Sequence, residues 1–298
     1  MTENVPLTTS GRLTTFVIAV TLLACTVTAA VTYMNVRASE DGHAERLAAG
    51  TDAAAADIES YLTESRNLVS AIAREHQKLL TAYAGQPESA ELRHEIGKAL
   101  RGAFPDYFTF TIADRTGEDL IQDIEGFVGE ACQANIREYV THLADAGGSA
   151  DYRTVIHPQA NNYHFDVMAP WSDGDRLKGV FFVSLFPTRL QGILQTHQSP
   201  GHRLALINRE RPYLIEVSAG GARDRISLRR EINLTDDEIA AIAAKRDIPG
   251  SRWRLVGYTN PEHRARERTD AWVVAIIVIF LLIAGGGAAA WMLSTRTG

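Results

Sequence analysis

Two long apolar blocks without a charged residue, one near each end of the chain, constrain its fold more than any other feature. The first runs from Leu13 to Val36 and the second from Trp272 to Leu293. An α-helix rises about 1.5 Å per residue and the hydrocarbon core of a bilayer is about 30 Å thick, so each block is long enough to cross a membrane. The sequence therefore predicts transmembrane helices at residues 13–36 and 272–293.

The region between the two blocks is predicted to lie outside the cytoplasm. Long loops are translocated largely regardless of their charge, so we expect residues 38–271 to be periplasmic and residues 1–12 and 294–298 to be short cytoplasmic tails. The first block is longer than the apolar segment of about 7–15 residues in a cleaved signal peptide, so we expect it to remain as an anchor. These expectations describe a two-pass protein of a bacterial inner membrane.

The composition of the chain is that of a folded protein, with 45% hydrophobic and 22% charged residues. A net charge of −6 and the lack of a basic, aromatic stripe exclude a nucleic-acid surface. The two cysteines, Cys25 and Cys132, are predicted to lie in different compartments, so the periplasmic region must be stabilised by its core rather than by an internal disulfide.

Residues 37–106 are predicted to form helices that emerge from the membrane. Apolar or small residues alternate at spacings of four and three along this stretch, at Ile58, Leu62, Ser65, Val69, Ile72, His76, Leu79 and Tyr83. This spacing is typical of a coiled-coil seam, which would favour a parallel homodimer. A single amphipathic helix covering a sheet produces the same pattern, and both interpretations remain open at this point.

From Tyr107 onward the pattern changes to strands with one intervening helix. The predicted strands are residues 108–113, 119–124, 152–156, 163–169 and 179–186, and the predicted helix is residues 131–143. Helices separated in this way from an antiparallel sheet indicate the α+β class. The fold prediction is thus a long N-terminal helix and an antiparallel sheet with flanking helices, between two transmembrane helices.

Residues 199–261 carry a shorter pattern that either forms a smaller membrane-proximal module or completes the first sheet. Strands are predicted at residues 203–207, 213–217 and 253–258. Thr235 and Glu238 form a capping-box pattern that opens a short helix, with Ile239 and Ile242 as its apolar positions. Residues 262–271 are predicted to be a basic linker to the second membrane helix.

Three stretches carry a resemblance to a known family. They are FTIADRTG at residues 110–117, the run from the Ala-Pro pair at 169–170 through GVFFVSL at 179–185 to Leu190, and IPGSRWRLV at 248–256. Residues 67–261 thereby resemble the PAS-like extracytoplasmic sensor domains called Cache domains, which occur in bacterial chemoreceptors, histidine kinases and diguanylate cyclases. The resemblance implies a PAS-like sensor domain at residues 107–198 that binds a small molecule such as an amino acid, an organic acid or an amine.

The resemblance also implies a signalling output, for which the sequence contains no kinase, cyclase or methylation-helix signature. We therefore expect the output either in a longer form of the protein beyond Gly298 or in a separate kinase or cyclase partner in the membrane. No nucleophile elbow, phosphate-binding loop or metal-ligand spacing occurs, so we expect no catalysis, no cofactor and no metal in this chain.

Family members bind small molecules between the sheet and the helices that cross it, which directs attention to one group of residues. The predicted ligand-binding residues are Arg153, Tyr163, Phe165, Asp166 and Trp171. They supply one cation, one anion and aromatic walls from neighbouring strands, a combination that suits a small polar ligand in an apolar cleft. The alternative is that the aromatic residues belong to the core and that Arg153 and Asp166 form a cross-strand pair.

A different class of function also fits the two apolar blocks. Polysaccharide chain-length regulators have two membrane helices, short cytoplasmic tails and a periplasmic domain rich in helices. The strand-rich middle of this chain fits that scaffold role poorly, so sensing is the leading prediction and a scaffold or adaptor is the alternative.

Overall fold

A computed structural model describes most of the chain and divides it into two compact units. The described residues are 9–105, 107–120, 130–145, 154, 156–157, 163–211, 213–223 and 231–295. The central unit is Leu47–Tyr258, and the terminal unit combines Met1–Arg46 with Thr259–Gly298. Helices and antiparallel strand pairs occur together in the chain, which confirms the α+β prediction.

Three helices precede the first strand. They are α1 (Thr9–Glu75), α2 (Gln77–Gly85) and α3 (Ala90–Ala103). Helix α3 begins after Ser89, whose side-chain oxygen accepts a hydrogen bond from the backbone N–H of Leu92 at 3.4 Å and so satisfies one of the free donors of the first turn. Helices therefore cover most of the described part of residues 37–106, and the domain bounds stay a prediction.

The first sheet has four strands in the order β1-β4-β3-β2, and every neighbouring pair is antiparallel. The strands are β1 (Tyr107–Asp114), β2 (Ile156–His157), β3 (His164–Asp173) and β4 (Arg176–Leu185), and helix α4 (Glu130–Asp145) lies between β1 and β2 in the sequence. The predictions for residues 108–113, 131–143, 163–169 and 179–186 are confirmed. The other two predictions fall partly outside the described residues: Asp119 makes one antiparallel bridge to Ala113, and Thr154 makes one parallel bridge to Ser251.

The turn after β1 is held by the carboxylate of Asp114. Its Oδ1 accepts hydrogen bonds from the backbone N–H groups of Thr116 at 2.7 Å and Glu118 at 3.1 Å, and from the Thr116 hydroxyl at 2.6 Å. Partial burial alone would raise the pKa of Asp114, but these hydrogen bonds outweigh that effect and lower the pKa. The Asp-Arg-Thr-Gly turn therefore ends β1, with Gly117 at a φ of 82°.

Residues after β4 form a second sheet of their own. Its strand order is β7-β6-β5-β9-β8. The elements are α5 (Thr188–His197), β5 (His202–Asn208), β6 (Ile215–Ser218), β7 (Gly221–Ala222), α6 (Asp236–Ala240), β8 (Ile242–Asp247) and β9 (Trp253–Thr259). The region at residues 199–261 thus adds no strand to the first sheet in the part that the structure describes.

One element of the second sheet differs from its prediction. The capping box of Thr235 and Glu238 is present, but helix α6 ends at Ala240, and Ile242, expected in that helix, begins β8 and pairs with Tyr258. The last three residues of β8 are charged and exposed, so the strand has no apolar alternation that a sequence pattern would reveal. Its pairing with β9 supplies the backbone hydrogen bonds that define it.

Most residues of the expected coiled-coil seam lie in the core of the central unit, and His76 and Leu79 are half-buried. Ile58, Leu62, Ser65 and Val69 are each at most 1% exposed, and the apolar ones pack in the same cluster as residues of both sheets. The interpretation as an amphipathic helix covering a sheet is therefore confirmed, and the coiled-coil interpretation is wrong for these positions. Because these residues are buried within one chain, they give the predicted homodimer no support, and the homodimer stays a prediction.

Replacing Leu62 with alanine should destabilise the fold of each chain. Removing a fully buried leucine side chain costs about 2–5 kcal/mol of unfolding free energy, because apolar contacts are lost and a cavity remains. Thermal unfolding of the full chain in detergent micelles, followed by near-ultraviolet circular dichroism, measures this loss. The exposed neighbour Thr63→Ala is the control and should change little; equal stability of the two variants would contradict the core position of Leu62.

The terminal unit contains two helical segments that are long and apolar enough to cross a membrane. One is the first part of α1, and the other lies in helix α7 (Pro261–Thr295), with mean hydropathy of 2.1 and 2.7 in their most apolar windows. The predicted basic linker at residues 262–271 is helical and forms the first turns of α7, while its role as a linker stays a prediction. Glu40 and Arg264 form an ion pair at 3.6 Å near the start of α7.

A glycine in α7 allows close packing within the terminal unit. A Cβ atom at Gly286 would overlap the side chain of Thr21 in α1, whereas one at Gly285 would meet no atom within 4 Å. Small residues of this kind let membrane helices approach closely. The two apolar segments of one chain therefore pack against each other where Gly286 meets Thr21.

Gly286→Leu should weaken the packing of the two apolar segments, and Gly285→Leu should not. Inserting a large side chain into a packed contact costs about 1–3 kcal/mol. Thermal unfolding of the full chain in micelles, followed by circular dichroism of the helices, should show a lower midpoint for the first variant only. Equal midpoints for the two variants would contradict the contact between Gly286 and Thr21.

Candidate functional site

The side chains of strand β3 are divided between two different environments. Successive residues of a strand point to opposite faces of the sheet. Phe165, Val167, Ala169 and Trp171 lie in the large core that α1 contributes to, whereas Met168 lies in a smaller cluster with residues of α4. Residues of β3 therefore face either the long helix or α4, depending on the parity of their number.

Two of the predicted ligand-binding residues are part of the large core. The ring of Phe165 makes edge-on contacts with Tyr61 in α1 and Trp253 in β9, at centroid distances of 6.2 and 5.8 Å. The indole N–H of Trp171 donates a hydrogen bond to the backbone carbonyl of Ala113 at 3.2 Å. Both side chains are buried and hold the sheet against its neighbours.

Tyr163 and Asp166 have different surroundings from each other, and Arg153 lies outside the described residues. The half-buried ring of Tyr163 lies under the guanidinium of Arg223, 5.0 Å from its centroid. Asp166 is 1% exposed and lies on the opposite face of the sheet from Phe165. The structure therefore does not bring Tyr163, Phe165, Asp166 and Trp171 together around a single cleft.

The position of Arg223 next to Tyr163 depends on a buried carboxylate. Glu216 of β6 is 1% exposed, and its Oε2 lies 3.4 Å from the Nε of Arg223. Its Oε1 accepts a hydrogen bond from the side-chain amide of Asn208 at 2.8 Å. Sequence reasoning missed this pair, because Glu216 appears in the sequence as an ordinary polar residue of a short strand.

A row of polar side chains crosses three strands on the face of the first sheet that Asp166 shares. Ser184 of β4 is paired with Thr109 of β1 on one side and with Asp166 of β3 on the other. The hydroxyl of Ser184 donates a hydrogen bond to Oδ1 of Asp166 at 2.8 Å. All three residues are buried, which is uncommon for polar side chains in the middle of a sheet.

His164 and Cys132 extend this row into a compact group. The Nε2 of His164 lies 3.7 Å from Oδ1 of Asp166 and 3.6 Å from the sulfur of Cys132 in α4. Both residues are at most 1% exposed. We refer to Cys132, His164, Asp166 and Ser184 as the buried polar cluster.

Local chain geometry positions the residues around the cluster. The register between β1 and β4 shifts between Tyr107 and Thr109, and the ring of Phe108, in this irregular part, lies 5.1 Å from that of His164. His164 and Asp166 are two residues apart in β3, so the strand places them on one face. The imidazole is thus held between an aromatic ring, a thiol and a carboxyl group.

Tyr139 of α4 adds a phenol to the cluster of apolar residues on this face. It is 4% exposed, and burial raises the pKa of its hydroxyl to about 12. The phenol therefore remains protonated at every physiological pH. This face of the sheet therefore combines apolar side chains with the few polar groups of the buried polar cluster.

The buried polar cluster could not be found from residue spacing alone. Cys132 and His164 are separated by 32 residues, so they do not form a recognisable metal-ligand spacing in the sequence. One signal was present: His164 and Asp166 alternate in a predicted strand, so they had to share a face. The identity of their partner in α4 required the packing of that helix.

A concave surface separate from the buried polar cluster lies between α1, the end of α3 and α5. It encloses about 570 Å³ and is lined by residues that include Tyr61, Leu68 and Phe104, with Glu64 and Arg189 as its charged groups. It is an open groove with exposed charges, and Ser65 is a buried polar residue of its lining.

Comparisons with known proteins found similar structures but no similar sequences. No protein-family model and no curated protein matches the sequence. The sensory domain of the chemoreceptor Tlp3 from Campylobacter jejuni is 8% identical, with a TM-score of 0.49 over 77% of this chain and 98% of that domain. The sensor domain of the histidine kinase DctB from Vibrio cholerae is 10% identical, with a TM-score of 0.46 over 76% of this chain and 98% of that domain.

A third similar structure was solved with a small molecule. It is the ligand-binding domain of the amino acid chemoreceptor PctC from Pseudomonas aeruginosa, in complex with GABA. Its identity is 15% and its TM-score 0.42, over 70% of this chain and 94% of that chain.

Glu216→Gln should lower the unfolding free energy of the central unit more than a double variant that removes both charges of the ion pair. Removing one partner of a buried ion pair leaves the other charge uncompensated and costs about 3–5 kcal/mol. The double variant Glu216→Gln/Arg223→Met removes both charges and should recover part of that loss. Chemical denaturation of the full chain in micelles measures both effects, and a double variant that is less stable than Glu216→Gln would contradict the prediction.

Proposed function

We propose that this chain is the extracytoplasmic sensing module of a bacterial transmembrane signalling protein and that it binds a small polar molecule. The observation that carries this proposal is the buried polar row on the α4 face of the first sheet, Thr109, Ser184 and Asp166, with His164 beside it. Burying polar groups is unfavourable unless they are paired, and a ligand can provide further partners for such groups. A site of this kind binds a ligand through a few oriented polar groups within apolar walls.

The location of the module is also part of the proposal. The two apolar helical segments would cross the inner membrane in opposite directions, and residues 38–271 would lie in the periplasm. The Cache-like resemblance of residues 67–261 agrees with this arrangement. A kinase or cyclase output would be provided by a longer form of the protein or by a separate partner.

Chain continuity offers a route from the site to the membrane. Helix α1 runs from the first apolar block into the core without a break, and only Asn260 separates β9 from α7. A ligand shifts such a system only if it binds one conformation more tightly than another. The proposed ligand would therefore change the packing of the sheets against α1, and both ends of the central unit would transmit that change.

The carboxyl group of Asp166 points to ligands that donate hydrogen bonds. Amines and amino acids provide charged N–H donors, whereas ionised carboxylic acids without an amine or a hydroxyl group have no donor, so only the first class should bind through Asp166. A thermal-shift screen of the full chain in micelles against these classes should reveal a ligand that raises the unfolding temperature. A screen in which none of them stabilises the chain would contradict the proposal.

The role of Asp166 is tested with any ligand that the screen identifies. A hydrogen bond to a charged group contributes about 1.5–3 kcal/mol, so Asp166→Asn should weaken calorimetrically measured binding by roughly 10- to 100-fold. Asp173→Asn, an exposed carboxylate at the end of the same strand, is the matched control and should leave binding unchanged. Wild-type affinity in Asp166→Asn would place the ligand elsewhere in the domain.

A further inference from the structure

Three side chains of the buried polar cluster have the arrangement of metal ligands. Cys132 comes from α4, and His164 and Asp166 come from β3. One potential ligand atom from each residue, the thiol sulfur, a ring nitrogen and a carboxyl oxygen, lies within 4.8 Å of the other two. All three residues are at most 1% exposed, so the group is fully enclosed by protein.

We propose that Cys132, His164 and Asp166 bind a single divalent transition-metal ion, with zinc as the best match. The proposal goes beyond small-molecule sensing: the ion would share Asp166 with the proposed ligand site, but its binding requires no organic ligand.

The distances between the donor atoms support one ion at the centre of the group. Zinc binds sulfur at about 2.3 Å and nitrogen at about 2.0–2.1 Å with tetrahedral angles, which places two donors about 3.4–3.6 Å apart. The Nε2 of His164 lies 3.6 Å from the sulfur of Cys132 and 3.7 Å from Oδ1 of Asp166. The same ring nitrogen therefore lies close to both other donors, at distances near those expected around one ion.

The chemistry of the donors selects the class of ion. Thiolate and imidazole are ligands of zinc and related transition metals, whereas calcium and magnesium require oxygen ligands. Three protein ligands leave one tetrahedral position, which water or a ligand atom can occupy, as in zinc sites that remain open to exchange.

Neighbouring residues hold the donors in position. The Ser184 hydroxyl donates its hydrogen bond to Oδ1 of Asp166 at 2.8 Å, which orients the carboxyl group. The ring of Phe108 lies against His164 at 5.1 Å, and Met168 and Phe182 belong to the apolar cluster that also contains Cys132. Such supporting contacts reduce the reorganisation that metal binding requires.

Binding would release a proton. The thiol of Cys132 must lose its proton to become a metal ligand, and that proton passes to solvent, while no group is oxidised or reduced. Affinity for the ion should therefore rise as the pH increases. If Cys132 and His164 formed only an ordinary buried hydrogen bond, the chain would bind no metal ion at this group.

The test uses the full chain in micelles, without an affinity tag and after treatment with a chelator. Cobalt(II) is the first probe, because a cobalt–thiolate bond produces an intense ultraviolet absorption that nonspecific binding to carboxylates does not. We expect one cobalt ion per chain with this absorption, and its loss when zinc is added in equal amount. No organic ligand is present, so the result is independent of the proposed sensing function.

Variants assign the ion to the cluster. Cys132→Ser should abolish the thiolate absorption, and His164→Ala should weaken zinc binding by at least about 100-fold. Ser184→Ala, which removes only the supporting hydrogen bond, should weaken it by about 10-fold. Cys25→Ser in the first apolar block and His142→Ala on the exposed side of α4 are the matched controls and should bind as the wild type does.

Two outcomes would overturn the metal site. One is a wild-type chain that gives no cobalt–thiolate absorption, a result that does not depend on whether any variant folds. The other is Cys132→Ser that binds zinc as tightly as the wild type while its near-ultraviolet circular dichroism without metal remains native.

Discussion

The packing of the apolar stripe of α1 against both sheets is the constraint on which the rest of the central unit depends. Phe165 of the first sheet contacts Tyr61 of α1 and Trp253 of the second sheet, so a single aromatic side chain joins the three elements. Residues of the helix and of both sheets belong to one continuous core. Close-packed interiors do not deform gradually, so a shift of either sheet must be accompanied by repacking along α1.

The two faces of the first sheet have separate roles because the side chains of a strand alternate. The face toward α1 is apolar and carries most of the burial that stabilises the fold. The face toward α4 holds a smaller apolar cluster and the buried polar cluster. Polar groups can collect on this second face without interrupting the large core, and their mutual contacts offset part of the desolvation that burial costs.

Patterns with a clear period were sufficient to predict most of the helices and strands. The spacing of four and three in α1, the alternation in β3, the apolar run of β4 and the capping box of Thr235 each appear where the sequence places them. Failures occurred where the period was hidden. Strand β8 carries charged residues on exposed positions, and the seam of α1 has the same spacing whether its partner is a second helix or a sheet.

The sequence by itself determined which segments are apolar enough for a membrane, which segments form helices and strands, and which residues of β3 share a face. These properties follow from the length and the period of a single segment. Only the tertiary structure decided what each face meets: Phe165 and Trp171 became core, Tyr163 came under Arg223, and Asp166 joined Cys132 and His164. Such contacts join residues far apart in the chain, and no local pattern encodes which surface packs against which.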